Sequence, residues 1–281
     1  MPNLTLRRRR SRRRLFGVGW GTAGIIIFAV ILLAAVFAPL LTPYRPLVGV
    51  GQPIQSPSIG HPMGTDDLGR DVFSQVLFGL RSSLYIGLFS ALIALVVGAV
   101  VGAISGYAGG RVDDVLMRVT ELFQVVPRIF LVIITASLFG QGATVTAVAI
   151  GLTSWPQGAR LLRAEFLSRR ESEYVMAARV IGASSWRIVG RELLPNAISP
   201  LVVSTTLNIA TAVLLEASLA FLGLSDPNVS SLGRMLQSSI GFIQIAWWMS
   251  VFPGIVVALI ALSMNMMGDS ISGRLARGVL G

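Results

Sequence analysis

Six apolar runs alternate with polar segments along the chain, at Val18–Leu41, Leu84–Tyr107, Val112–Leu138, Ala143–Leu162, Ala197–Leu222 and Met249–Met267. Each is close to or above the roughly 20 residues that an α-helix needs to cross a bilayer core about 30 Å thick. The expected fold class is therefore an all-α membrane protein with six transmembrane helices. Both sides of each run are apolar, so periodicity alone does not separate a face toward lipid from a face toward protein. The first run is longer than a signal-peptide core and lacks a small-residue cleavage site, and reads as a retained span. Pro127 lies inside the third run, where its missing N–H should kink the helix. Gly109-Gly110-Arg111 and Gly140-Gln141-Gly142 read as tight turns. Gly87, Gly98, Gly102 and Gly106 in the second run offer close approach to a neighbouring helix.

The polar segments carry the candidate chemistry. Between Thr42 and Arg81, helix breakers from Pro43 to Pro62 predict an extended loop. Thr65 or an aspartate should then cap an interfacial helix whose apolar face includes Val72, Phe73, Val76, Leu77 and Leu80. Asp66, Asp67 and Asp71 are either part of that cap, with Asp–Arg pairs, or a metal or substrate site. At the start of the third run, Asp114 and Arg118 have i,i+4 spacing for an ion pair. Glu216 falls at membrane depth in the fifth run, where a carboxylate is costly unless it faces protein or water. It is a pathway candidate, with a hydrogen bond to a neighbouring helix as the alternative. Leu224–Ala246 is mixed in character and precedes a Trp247-Trp248 pair suited to a membrane interface.

Composition agrees with a membrane class: 53% of residues are hydrophobic and 13% charged, with a mean hydropathy of +0.74. The formal charge of +10 comes from arginine alone, since the chain contains no lysine. Seven arginines lie within Leu6–Arg14; beside an apolar span they suit anionic lipid headgroups better than nucleic acid. With the N-terminus inside, this tail, Arg111, the arginines from Arg160 to Arg191, and Arg274 and Arg277 all share one side. The other side receives Arg45, Arg70, Arg81 and Arg234, so the positive-inside rule places both termini in the cytoplasm. There is no cysteine, and His61 is the only histidine, which excludes thiolate sites and His-based clusters. Without lysine there is no Walker-type GxxxxGK[ST], and neither HExxH nor GxSxG occurs. No catalytic constellation supports an enzyme.

Tyr174–Asn196, reading YVMAARVIGASSWRIVGRELLPN, interrupts the apolar pattern between the fourth and fifth runs. Tyr174, Ala177, Ala178 and Ile181 fall at helical spacing on one expected face, which the alanines keep low. Gly182 can adopt the left-handed conformation that stops a helix, and Ser184 can cap the next one. Pro195 stands at the entry to the fifth run. Taken alone, the segment could equally be an amphipathic loop lying on the membrane.

Ala177-Ala178, three residues, Gly182, nine residues, then Glu192-Leu193-Leu194-Pro195 resembles the cytoplasmic coupling loop of ABC-importer permeases. Met176 stands where that family has Glu, and Glu192 where it has Ile. GTDDLGRDVFSQVLFGLRSSL, SGYAGGRVDDVLMRVTELFQVVP, LLEASLAFLGLSDPNVSSLGRMLQ and WWMSVFPGIVVALIALSMNMMGDSIS resemble the dipeptide, oligopeptide and nickel importer permeases, specifically the second-permease type of a peptide importer. Glu121 and Leu232 depart from that pattern.

The resemblance implies a type I importer transmembrane domain at 82–272, with a coupling loop at 163–196. Before it come a basic cytoplasmic tail at 1–17 and, at 18–81, the first span with its extracytoplasmic loop and interfacial helix; a cytoplasmic tail follows at 273–281. It also implies a second homologous permease, two cytoplasmic ABC ATPases that bind ATP and Mg in place of this chain, and an extracytoplasmic substrate-binding protein. The ATPase-coupling residues it implies are Tyr174, Ala177, Ala178, Gly182, Ala183, Ser184, Arg187, Arg191 and Pro195. Peptides are the favoured cargo, nickel or another small chelate the alternative, and haem-like cargo stays open. An export or scaffold component, and a proton-coupled carrier using Glu216, are the readings from other classes.

Overall fold

A computed structural model describes the backbone of residues 5–226 and 228–278 and the side chains of residues 19–226 and 228–272. The arginines of the basic tail, Arg274, Arg277 and Pro227 lie outside the described side chains. The described chain is helical. It begins with α1 (Thr5–Val36), α2 (Ala38–Leu41), α3 (Val72–Ala108), α4 (Gly110–Val125), α5 (Arg128–Phe139) and α6 (Ala143–Arg169). It continues through α7 (Glu173–Val180), α8 (Ser185–Arg187), a π-helical stretch Ile188–Leu193, α9 (Leu194–Phe221), α10 (Leu232–Ser239) and α11 (Trp248–Gly278).

Four helices among the described residues are long and apolar enough to cross a membrane: Gly19–Val36, Val72–Ala108, Ser185–Phe221 and Trp248–Ser272. The pair α4 and α5, bent by 85°, makes a fifth as one broken span. The apolar runs predict six. The difference is α6, whose Thr153, Ser154 and Pro156 are buried against protein, so the helix is too polar by composition to count as a lipid-facing span. Pro127 does more than kink its run. Val126, just before it, is extended at φ −84° and ψ 127°, the region into which a following proline ring forces its predecessor, and the helix restarts at Arg128.

The chain divides into two compact units. The first comprises residues 1–87, 141–143 and 209–281, the second 88–140 and 144–208. In the first unit, Ile31 and Ala35 of α1, Val76 and Leu80 of α3, Val213 of α9, Leu232 and Met235 of α10 and Ile260 of α11 share one apolar cluster. The loop from residue 42 to 71 is tied down by buried polar contacts. Asp71, rather than Thr65, caps α3: its Oδ2 accepts from the backbone N–H and the hydroxyl of Ser74 at 2.8 and 2.7 Å. Its Oδ1 meets His61 Nδ1 at 2.9 Å. Asp66 accepts from Leu68 N, Arg70 N and Gln75 Nε2 at 2.8–2.9 Å, and Trp248 Nε1 donates to Thr65 O at 3.1 Å. These carboxylates close loop turns in place of the expected Asp–Arg pairs, and no cluster of three metal-ligating side chains forms among the described residues. The helix they cap is not a separate interfacial one but the first turns of the 37-residue α3.

The second unit is built on a seam of glycines. A Cβ added at Gly98, Gly102 or Gly106 would meet the carbonyl oxygens of Trp155, Ala159 and Arg163 at 3.0, 2.5 and 2.9 Å respectively. Both rows repeat every four residues, so α3 and α6 lie backbone to backbone along them. At one end of the seam, Arg163 Nε and Nη2 donate to Asp113 Oδ1 and Oδ2, both at 2.5 Å, and Ser105 Oγ donates to the same carboxylate. Asp113 therefore makes the ion pair expected of Asp114 with Arg118, and across 50 residues rather than four. This bidentate geometry is among the stronger forms of ion pairing.

Candidate functional site

The segment from Ser172 to Pro195 folds as an elbow in the second unit. Its first limb, α7, ends where Gly182 N donates to Arg179 O at 3.0 Å and Ala183 N to Ala178 O at 3.0 Å. Gly182 sits at φ +78°, the left-handed region that side chains with a Cβ resist. Ser184 then caps the second limb by accepting from Arg187 N at 3.4 Å. Both signals read from sequence, the stop and the cap, sit at the corner of the elbow.

Pro195 lies inside a helix that runs without a break from Ser185 to Phe221. The ladder tolerates it because the preceding residues, Ile188–Leu193, form a π-helix in which Leu194 N reaches back five residues to Val189 O. Proline removes one ladder hydrogen bond and its ring crowds the carbonyl four residues back; the wider π turn makes room.

The inner side of the elbow is apolar. Val175, Ala178, Ile188 and Leu193 join Leu162, Phe166, Ala197 and Leu201 in one buried cluster. This corrects the expected face: Ala178 is 9% exposed and packs inward, while Tyr174, Ala177 and Ile181 remain outward. The reason is the phase of the helix, since Val175 and Ala178 are three residues apart and share the side against α6. Ser184, Arg187, Arg191 and Pro195 are exposed and Ala183 is half-buried.

Three large apolar side chains that the sequence does not name as coupling residues project from the corner: Val180 at 87%, Ile181 at 78% and Trp186 at 85% exposed. Of these, Ile181 lies on the face that helical spacing predicts. The legible signal was a tryptophan in a Ser-Ser-Trp-Arg context, with no apolar partner at helical spacing on the outer side. Together they form an exposed apolar surface at the corner.

Glu216, in the first unit, is 2% exposed. Its Oε2 accepts from Ser83 Oγ of α3 at 2.9 Å, and Ser231 supplies a second hydrogen bond. The carboxyl thus cross-links α9 to α3 and to the start of α10, the arrangement of a structural partner. Glu216→Gln keeps an acceptor oxygen for the serines and is expected to leave uptake and assembly near wild type. Glu216→Ala removes the acceptor and opens a cavity, at a cost of about 2–4 kcal/mol. Transport and thermal unfolding of the purified complex check both; lost uptake in a fully assembled Glu216→Gln complex would make the residue part of the pathway.

The chain is thus an all-helical membrane protein with an outward elbow at a helix–helix corner. The chain belongs to the family described as binding-protein-dependent transport system inner membrane component, which matches residues 98–281. Residues 7–56 match the N-terminal TM domain of oligopeptide transport permease C. Among relatives, the dipeptide transport system permease protein DppC of Alkalihalophilus pseudofirmus is 37% identical over 88% of this chain and 82% of that protein. A putative peptide transport system permease protein of Brucella suis is 39% identical over 96% of this chain and 90% of its own length. A solved chain of the inward-facing MetNI methionine ABC transporter superposes with a TM-score of 0.58 at 22% identity, covering 73% of this chain and 96% of that one. The fold is therefore that of an ABC importer's membrane subunit. The family consists of permease subunits of the inner membrane, typically non-catalytic.

Proposed function

We propose that this chain is one permease subunit of an ATP-driven importer of dipeptides and oligopeptides. Cargo is handed over by an extracytoplasmic binding protein and passes between this chain and a second, homologous permease. Two cytoplasmic ABC ATPases bind ATP and Mg, with the elbow and both termini of this chain on their side of the membrane. The observation that carries the coupling role is the corner at Gly182, with Val180, Ile181 and Trp186 exposed and basic Arg179, Arg187 and Arg191 around them. When nucleotide draws the ATPases together, a protein seated on this corner moves it. The unbroken helix from Ser185 to Phe221 carries the displacement into the membrane, where paired permeases switch as rigid bodies between two arrangements. Peptide cargo is supported by the names of the relatives.

The test is reconstitution of the chain with its second permease, ATPases and binding protein in proteoliposomes, followed by uptake of labelled di- and oligopeptides. Uptake is expected only with ATP and binding protein present. Uptake that survives loss of the ATPases would turn the reading toward an ion-coupled carrier.

A further inference from the structure

In the second unit, the break between α4 and α5 opens a cavity of about 390 Å³ lined by Phe123, Gln124, Arg128, Thr153, Ser154 and Gln157, among others. Arg128 is the first residue of α5. Its Nη2 donates to Ser154 Oγ, and Ser154 Oγ in turn donates to Ile150 O at 2.5 Å, so the hydroxyl is fixed with a lone pair toward the guanidinium. Arg128 Nε is buried and has no hydrogen-bond partner, the one such buried side-chain nitrogen or oxygen among the described residues. No carboxylate of the described residues lies within the 4.0 Å of an ion pair with Arg128. A second cation stands nearby, since Arg160 Nη1 donates to Gln124 Oε1 on the cavity wall.

A guanidinium at membrane depth is costly unless it is paired. Here one serine orients it and no carboxylate of the described residues neutralises it. The planar fork presents donors in the geometry that matches a carboxylate through two parallel hydrogen bonds. Beside it, Phe123 offers an apolar wall, while Thr153 and Gln157 offer neutral hydrogen-bonding groups suited to peptide amides. The cavity is large enough for a small peptide fragment and too polar to be an ordinary packing defect.

We propose that Arg128 and this cavity form a carboxylate subsite of the translocation pathway, which takes the C-terminal carboxylate of a peptide in transit. The proposal rests on the peptide-importer reading above. Trp155 provides a reporter, because its ring packs edge-on against Phe123 at 5.4 Å between centroids.

The experiment uses the assembled permease–ATPase complex without its binding protein, with Trp155→Phe as the control that isolates the Trp155 signal. An apolar dipeptide with a free C-terminus, and its C-terminal amide, are titrated against Trp155 fluorescence. The free dipeptide is expected to bind Arg128→Gln on the order of 10-fold more weakly than wild type, from loss of a charge-assisted hydrogen bond, while the amide binds both alike. Arg128→Lys should recover part of the difference, as a point charge without the fork.

Equal weakening of both ligands, or of neither, overturns the subsite. So does loss of a co-purifying phospholipid in Arg128→Gln, measured by mass spectrometry, which would give the guanidinium to a lipid phosphate. Failure of Arg128→Gln to co-purify the second permease would assign it to the subunit interface and likewise overturn the subsite. ATP-driven peptide uptake by the wild-type complex separates the two readings. Uptake without Arg128-dependent binding removes the subsite alone, whereas carboxylate binding without peptide uptake removes the peptide-importer reading and leaves a carboxylate site.

Discussion

Trp186→Asp is expected to uncouple transport from ATP hydrolysis, lowering ATP-driven uptake at least about tenfold while the permease still folds and inserts. The tryptophan is 85% exposed, so its removal deletes almost no contact inside the chain. Buried against a partner, an aromatic anchor of this kind is worth roughly 2–4 kcal/mol, a factor of about 30 or more in affinity. A carboxylate in its place would also have to be desolvated on docking. Ile181→Asp should act in the same direction. Ala178→Glu is a poorer probe, because Ala178 packs inside the elbow against the cluster of Leu162 and Phe166 and a charge there would unfold the elbow itself. Gly182→Val acts in a third way. Its added Cβ meets nothing within 4 Å, but φ +78° costs an L-residue about 1–2 kcal/mol, enough to reset the corner. Co-purification of the ATPases and substrate-stimulated ATP hydrolysis check these outcomes. Trp186→Asp with wild-type coupling would remove the corner from the docking surface, and failed insertion would place Trp186 among lipid headgroups.

Gly102→Val has the second large effect, of a different kind. Its Cβ would lie 2.5 Å from Ala159 O and 3.1 Å from Ala159 Cα. Both are backbone atoms of α6, so no side chain can rotate away. Relief requires α3 and α6 to separate, which would also stretch the contacts at Gly98 and Gly106 and the Asp113–Arg163 pair at the end of the same seam. Overpacking costs about 1–3 kcal/mol where neighbours can yield and more where they cannot. The expected result is loss of folded protein from the membrane, read by size-exclusion profile and by protease resistance after extraction. A substitution at Gly241, whose Cβ would meet nothing within 4 Å, should leave both unchanged. A monodisperse, protease-resistant Gly102→Val permease would contradict the seam.

How much of this was legible in the sequence follows from what each signal depends on. The apolar runs became helices because length and hydropathy are local properties, and the glycine repeat marked a seam because spacing of four is a helical row. Gly182 and Ser184 act through their own backbone and were read correctly as stop and cap. The inward turn of Ala178 was hidden because Ala177 and Ala178 are the same residue type, and only the partner helix decides which one is covered. Asp113 was passed over for Asp114 because its arginine is 50 residues away. His61 and Asp71 meet only once the loop has folded, and the Arg128 cavity exists only because the chain breaks at Val126 instead of bending.

The π-helical stretch at Ile188–Leu193 holds one residue more than a regular helix would need to span the same rise. That surplus sets the azimuth of everything before it relative to everything after it. Were the same residues to return to ordinary α spacing with none removed, Trp186 would swing about 100° around the axis of α9, one residue's share of a helical turn. The tryptophan would then point away from its present direction with every neighbour in sequence unchanged. The heading of the contact surface is thus stored in how the residues between it and Pro195 are wound.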